Sequence, residues 1–201
     1  MKTITFRDMT WPSDDFMKVD TPSDAFDGIE LINCVCKEVT GKPIHIYKNT
    51  FIHGGKFGYL CFNRPNDMIS FMADMMKVVI EGTVLNRIEA GLDVFLEVGS
   101  DIAGTKSYLD EIEVCGRASL HNVVSDQIEI ERHGIARIHT TVKVDHIIVY
   151  GTAIIGTEQV GRIVLKPGGK VRFCLHDESH YKIECEEGRV PFKATDNYIC
   201  G

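Results

Sequence analysis

The densest cluster of chemically active side chains in this sequence lies between two predicted strands. Its members are Cys174, His176, Asp177, Glu178 and His180. Imidazole nitrogens, carboxylate oxygens and thiolates are the ligands that zinc and iron accept in proteins. Two histidines four residues apart lie on one face only in a helix. In a short connection between strands, the conformation of the loop would have to bring both side chains to the same ion. The same composition is typical of a solvated turn, and both interpretations stay open.

A metal site in this segment needs a further ligand, for which His139 and His146 are the candidates. His146 is also compatible with a buried neutral imidazole that has one hydrogen-bond partner, or with a general base. The metal hypothesis is a zinc, iron or manganese site held by four histidines, His139, His146, His176 and His180. One carboxylate would assist it, from Asp145, Asp177 or Glu178.

Other arrangements that could carry chemistry are incomplete in the sequence. Ser119 and His121 lie two residues apart without the G-x-S-x-G context of a nucleophile elbow. Cys34 and Cys36 form a single close pair, whereas thiolate metal sites combine two such pairs. No G-x-G-x-x-G or G-x-x-x-x-G-K-[ST] sequence occurs, which disfavours dinucleotide and P-loop chemistry.

Composition and charge bound the class of protein. The 201 residues are 44% hydrophobic and 25% charged, which is typical of a globular chain, and the net charge of −7 disfavours nonspecific binding to nucleic acid. No apolar run approaches the roughly 20 residues of a membrane helix, and the N-terminal sequence lacks the apolar segment of a signal peptide. The odd number of cysteines, seven, favours reduced thiols. We therefore expect a cytoplasmic protein without membrane contact.

The elements that position these residues follow from periodicity. Residues 135–150 alternate apolar and polar side chains, which predicts a strand with one buried face. Further strands are predicted at 92–98, 111–117, 127–132, 160–166, 170–175 and 181–185. Glycines at 134 and at 168–169 indicate hairpins that join 127–132 to 135–144 and 160–166 to 170–175. Another hairpin is predicted from 44–52 and 57–62.

Apolar stripes at helical spacing predict helices in the N-terminal half, over 24–39, 67–81 and, more weakly patterned, 83–90. No internal repeat is evident. Helices that are segregated from strands indicate an α+β fold, with an antiparallel β sandwich or barrel in the C-terminal half and two or three helices in the N-terminal half.

The domain prediction is an N-terminal arm over 1–22 and a single α+β domain over 23–201. The arm carries Phe6, Trp11 and Phe16, which either pack on the domain's own core or anchor the arm on another subunit. These features favour a non-enzymatic structural or assembly subunit that forms a homo-oligomer and needs no cofactor. A phage head or tail protein, in a virion or the host cytoplasm, is one such setting. The alternatives are a small metal-dependent enzyme with a cupin-like barrel and a binding or inhibitor protein.

Overall fold

The strands of this chain run mostly parallel to one another and form two sheets. A computed structural model describes residues 2–17, 26–63, 75–99, 105–174, 181–186, 191–194 and 197–200. Successive strands alternate between the sheets, so that almost every strand pairs with a strand one full turn of the chain away.

The first sheet has 11 strands in the described residues. In spatial order they are β1 (Thr3–Arg7), β3 (Gly28–Ile32), β6 (Asn49–His53), β8 (Met76–Glu81), β10 (Val94–Val98), β12 (Arg117–Leu120), β14 (Ile135–Ile138), β16 (Thr152–Ile155), β18 (Lys170–Phe173), β21 (Asn197–Ile199) and β20 (Phe192–Ala194). Its pairings are parallel except that β21 runs antiparallel to both β18 and β20.

The second sheet has 10 strands in the described residues, all paired in parallel. In spatial order they are β19 (Ile183–Cys185), β17 (Val160–Leu165), β15 (Lys143–Val149), β13 (Val123–Ile130), β11 (Ser107–Val114), β9 (Val84–Ala90), β7 (Lys56–Phe62), β4 (Val35–Glu38) and β2 (Thr10–Ser13). The tenth strand, β5 (Pro43–Ile46), also pairs with β7. The chain is therefore a two-sheet β-solenoid, in which each coil contributes one strand to each sheet.

Asp14–Phe16 forms a 3₁₀ turn. Among the described residues, no helix has the length and apolar composition needed to cross a membrane.

The space between the sheets is filled by one continuous apolar core. Leu31 near the first coil, Leu96 in the middle and Val171 near the last are all fully buried. Most strands of the first sheet alternate buried and more exposed residues, and in β10 the inward residues are Val94, Leu96 and Val98. Because neighbouring coils are in register, equivalent apolar residues stack on each other along the solenoid.

In strands of the second sheet, the alternation of inward and outward residues is interrupted once, where two consecutive residues face outward. In β15 the buried residues are Val144, Ile147 and Val149, so two consecutive residues, Asp145 and His146, face outward. The neighbouring strands shift at the equivalent place, where the first outward residue is Gly58, Asn86, Asp110, Asp126 or Gly161. Glycine, asparagine and aspartate tolerate the irregular backbone that such a bend requires.

A column of glycines lies at the corner where the chain passes from the second sheet to the first. Its members, at almost equal spacing, are Gly116, Gly134, Gly151 and Gly169. A Cβ built on Gly134 would lie 2.1 Å from the Val114 carbonyl oxygen, and one on Gly169 would lie 2.1 Å from that of Val149. Each coil therefore contacts the preceding backbone where a side chain would stand.

The predicted α+β class is wrong, because the segments expected to be helices are strands. Region 24–39 contains β3 and β4, region 83–90 contains β9, and the described part of 67–81 contains β8; residues 67–74 lie outside the described residues. In β9 the shift in alternation places buried Leu85 and Ile88 three residues apart. This spacing imitates a helical stripe, and a short apolar run does not separate the two structures.

The predicted antiparallel sandwich or barrel is also wrong. The strands predicted as hairpins 127–132 with 135–144 and 160–166 with 170–175 divide between the two sheets, as β13 and β14 and as β17 and β18. The predicted hairpin strand 44–52 contains β5 and β6: β6 lies in the other sheet from β7, and β5 pairs with β7 in parallel rather than antiparallel. The predicted strand over 135–150 is likewise two strands in different sheets, β14 and β15. Glycine-containing turns fit a hairpin or a solenoid corner equally well, so the turns did not distinguish the two. The barrel that the metal-enzyme alternative requires is not formed by the described strands.

The glycine column generates a stability prediction. Gly134→Ala should lower the free energy of unfolding by about 1–3 kcal/mol, because the added methyl group forces neighbouring coils apart. Gly156→Ala, at the opposite corner, is the matched control, since its Cβ would meet its nearest neighbour, the Ile138 carbonyl oxygen, at 3.3 Å. Urea unfolding followed by circular dichroism measures both. Equal losses in the two variants would contradict the close approach at Gly134.

Candidate functional site

The structure places the two described members of the predicted metal site on different sheets. His139 directly follows β14 in the first sheet, and the chain then turns at Thr140 and Thr141. His146 lies on the outer face of β15 in the second sheet, where it is exposed. The other proposed ligands and carboxylates, His176, His180, Asp177 and Glu178, lie outside the described residues. The structure thus does not bring His139 and His146 together.

His139 lies instead beside His121 and Ser119. The two imidazole rings stack with their centroids 3.4 Å apart and their planes 25° from parallel. The Ser119 Oγ lies 3.2 Å from the His121 Nε2 and 3.1 Å from the His139 Nε2. A hydroxyl carries one donor hydrogen and two acceptor lone pairs, so the Ser119 side chain can bridge the two rings.

Parallel register produces this cluster. The His121 N–H donates to the Val98 carbonyl at 2.7 Å, and the His139 N–H donates to the Leu120 carbonyl at 3.0 Å, so the two histidines occupy equivalent places in successive coils. Each also follows a column glycine, Gly116 or Gly134, at the same distance along the sequence. Aligning successive coils on these glycines in the sequence would have predicted that His121 and His139 lie side by side.

A serine hydroxyl beside imidazoles is also the arrangement of a nucleophile and its base. Acyl transfer further needs free N–H donors that face the developing oxyanion. Backbone groups alternate sides along a strand, and since the His121 N–H bonds to β10, the Ser119 N–H lies on that same paired side. The Ser119 amide is therefore used by the sheet and does not face the space beside the Ser119 hydroxyl.

The outer face of the second sheet carries a row of carboxylates. Glu89, Glu113 and Glu129 lie opposite one another on adjacent strands β9, β11 and β13. The Arg87 Nη2 contacts the Glu113 Oε2 at 2.7 Å, and the Tyr59 hydroxyl donates to the Glu89 Oε2 at 2.6 Å. These contacts hold the first two carboxylates. Burial, followed by the charges of Glu131 and Glu113, raises the pKa of Glu129 above its ordinary value.

Two thiols flank the same row and are held protonated. Burial, followed by the charge of Glu89, raises the pKa of Cys61 to about 12. Burial and the charge of Glu113 raise the pKa of Cys115 to about 12. A thiol of such high pKa is a poor nucleophile and a poor metal ligand at neutral pH. Within the described residues, no group of three or more His, Cys, Asp or Glu side chains is placed to hold a metal ion.

Two predicted interface residues belong to the first coil of the solenoid. Trp11 is 8% exposed and lies in the apolar core, whereas Phe6 is half-buried against that core. Their ring centroids lie 6.2 Å apart. The side chain of Phe16 lies outside what the structure describes. The predicted arm thus supplies β1 and β2, and its use as an interface stays a prediction.

β1 and β2 are the outermost strands at this end of the two sheets, and their outer edges differ in hydrogen-bonding capacity. In β1 the Lys2 carbonyl accepts from Asp27 and the Asp8 N–H donates to Ile32, so the even-numbered residues bond to β3. The odd-numbered residues, Thr3, Thr5 and Arg7, direct their N–H and carbonyl groups to the free edge.

In β2 the Met9 carbonyl accepts from Val35, so the odd-numbered residues bond to β4 and Pro12 faces the free edge. Proline has no N–H to donate there, which blocks further pairing. Among the described residues, the open edge of this coil is therefore that of β1 in the first sheet.

The carboxylate row generates a pH prediction. The folded protein holds the Glu129 proton more tightly than the unfolded chain does, so stability falls as pH rises from the ordinary carboxyl pKa through the raised one. Glu129→Gln should therefore match the parent at the acidic end of this window. Above the window the variant should be more stable by roughly 0.2–1 kcal/mol, the usual scale of a cross-strand pair.

Urea unfolding of both proteins across this pH range measures the difference. The control is Glu111→Gln, which removes a partner 3.0 Å from Arg87 and should give no gain in stability. A constant difference between Glu129→Gln and the parent at every pH would contradict the prediction.

Comparison of the chain with protein-family models, curated proteins and solved structures finds no match to any of them.

Proposed function

We propose that this protein is a non-enzymatic assembly subunit that forms a homodimer by pairing β1 of one copy with β1 of another. The open edge of β1 is the observation that supports this proposal. A strand edge with unpaired N–H and carbonyl groups is a template for another strand, and β-strand addition is a common mode of association. The pairing would extend the first sheet across a two-fold axis.

The other sheet ends of the described residues suit this role less. At the far end of the solenoid the second sheet ends in β19, which has 3 residues. The first sheet ends in the antiparallel β20–β21 pair, whose outer strand also has 3 residues. Short strands offer few hydrogen bonds to a partner. β1 has 5 residues, and the free side of its described residues carries no proline.

Antiparallel pairing about Thr5 gives favourable neighbours. Thr5 would lie opposite Thr5 of the second copy, and Thr3 opposite Arg7, so no like charges meet on the outer face. On the inner face Ile4 would lie opposite Phe6. Both are half-buried in the single chain. The dimer would therefore continue the apolar core as well as the sheet.

The setting of such a subunit follows from the thiols. No disulfide joins any of the seven cysteines, which favours the reducing cytoplasm, including that of a host cell if the chain belongs to a virus. A stack of coils whose best pairing edge is β1 suits a scaffold, such as a virion component.

Substitution of one edge amide tests the proposal. Thr5→Pro removes the donor at the centre of the pair while the bonds from Ile4 and Phe6 to β3 are kept. Because of the two-fold axis, one hydrogen bond is lost from each copy, which makes two per dimer. At about 0.5–1.5 kcal/mol for each hydrogen bond, the dimer Kd should rise about tenfold or more. Sedimentation equilibrium over a concentration series measures the Kd.

The matched control is Thr5→Val, which also loses the side-chain hydrogen bond to Glu30 but keeps the amide. Thr5→Val should dimerise like the parent, and both variants should keep the parent's circular dichroism spectrum. A parent protein that stays monomeric at high concentration would overturn the proposal. Dimerisation of Thr5→Pro with the parent's Kd would do the same.

A further inference from the structure

Four cations that are far apart in the sequence come together on the outer face of the first sheet. They are Arg117 on β12, Arg137 on β14, and Lys170 and Arg172 on β18, and all four side chains are exposed. Arg137 and Arg172 lie on either side of Ile154, which is opposite both of them in the strand between. Strands are about 4.8 Å apart, so the Cα atoms of these two arginines lie about 10 Å apart.

Within the described part of this face, no carboxylate lies among these cations. The other outward side chains of β12, β14 and β16 are uncharged: Ser119, Ile135, Thr152 and Ile154. On the neighbouring strand β10, Glu97 is compensated by the Lys77 Nζ at 3.1 Å. The register between coils thus builds a basic surface, Arg117, Arg137, Lys170 and Arg172, on a chain whose net charge is −7.

The outer face of the second sheet carries the opposite charge on the same coils. Asp110, Asp126 and Asp145 form an aspartate row, exposed on the adjacent strands β11, β13 and β15. Asn86 donates to Asp110 at 3.1 Å, and none of the three carboxylates forms an ion pair with a described residue.

The two charged surfaces match in height along the solenoid. Because β11 and β12 are consecutive strands in different sheets, Asp110 shares a coil with Arg117. In the same way Asp126 on β13 shares the next coil with Arg137 on β14. Complementary charges therefore stand on opposite sides of the molecule at the same two levels.

We propose that the basic surface of one copy docks on the aspartate row of a second copy, in a lateral contact separate from the β1 pairing. A copy displaced sideways, without rotation and without a shift along the solenoid axis, places Asp110 at the level of Arg117 and Asp126 at the level of Arg137. The contact joins two different faces, so it is heterologous and can repeat from copy to copy. This inference rests on the proposed assembly function and extends it from a dimer to a stack.

The net charge of the chain does not prevent this contact. At physiological ionic strength the Debye length is about 8 Å, so distant charges are screened while facing charges still interact. Exposed ion pairs contribute little each. Two apolar side chains on the same faces, Ile135 at 41% and Tyr108 at 50% exposed, would lose contact with water on docking. Charge would thus select the partner face, and apolar contact would add to the affinity.

The test uses Thr5→Pro, in which the β1 pairing is weakened, so that the remaining association reports another surface. Sedimentation equilibrium is measured at about 0.1 and 1 M salt, between which the Debye length falls from about 10 to 3 Å. This variant should self-associate in the lower salt, and its Kd should rise about tenfold or more in the higher salt. The parent should likewise form species larger than a dimer only in the lower salt.

Charge reversal identifies the two faces. In the Thr5→Pro background, Arg137→Glu and Asp126→Arg should each weaken association about tenfold or more, because each brings like charges together. An equimolar mixture of the two variants should associate again, since each reversed charge then faces an opposite charge on the other variant. The matched control is Arg132→Glu, which makes the same change in net charge at an exposed corner between β13 and β14 and should leave the Kd unchanged.

Three outcomes would overturn the lateral contact. They are a Thr5→Pro variant that stays monomeric in the lower salt, equal effects of Arg132→Glu and Arg137→Glu, and a mixture that does not associate. High salt leaves the backbone hydrogen bonds of β1 in place. A parent dimer that persists at about 1 M salt therefore supports the β1 pairing even if the lateral contact fails. Salt-sensitive association of Thr5→Pro supports the lateral contact even if that dimer is absent.

Discussion

Parallel in-register hydrogen bonding between coils is the constraint on which this molecule depends. It fixes each side chain about 4.8 Å from its equivalent in the next coil, with no freedom to slip. Apolar residues such as Leu96 and Val171 thereby form one continuous core. The same constraint stacks the rings of His121 and His139, and it brings the corner glycines against the preceding backbone. Equivalent positions of neighbouring coils therefore form stacks of side chains of similar character along the solenoid.

Stacking is favourable for apolar and aromatic side chains and costly for like charges. The carboxylate row of the second sheet shows how the chain limits that cost. Arg87 bonds to carboxylates on the next strand, and the Tyr59 hydroxyl binds Glu89. Glu129 lies opposite Glu113, and burial, followed by the charges of Glu131 and Glu113, raises the pKa of Glu129. Exposed ion pairs contribute little each, so the apolar core carries the stability and the outer face needs only to avoid repulsion.

Local pattern predicted part of this fold from the sequence. Strands expected at 92–98, 160–166 and 170–175 coincide with β10, β17 and β18, because alternation depends only on which face is buried. Strand partners depend on the register between coils, which alternation does not contain. Two sets of residues do indicate the register between coils: the glycine column, and the Asn, Asp and Gly residues at the shift in the second sheet. The residues of the second set are unevenly spaced along the chain, which conceals the repeat. The pairing of His121 with His139 was missed for the same reason.

An end coil of a solenoid has one neighbour where an interior coil has two. In repeat proteins stability is close to a sum of nearest-neighbour terms, so the end coil is the least stabilised. Here that coil contains β1, whose inner residues Ile4 and Phe6 are half-buried while equivalent residues of the next strand, Ile29 and Leu31, are buried. A second copy paired along β1 would supply the missing neighbour. Under the dimer proposal, the edge that would pair is thus also the place where pairing would add the most stability.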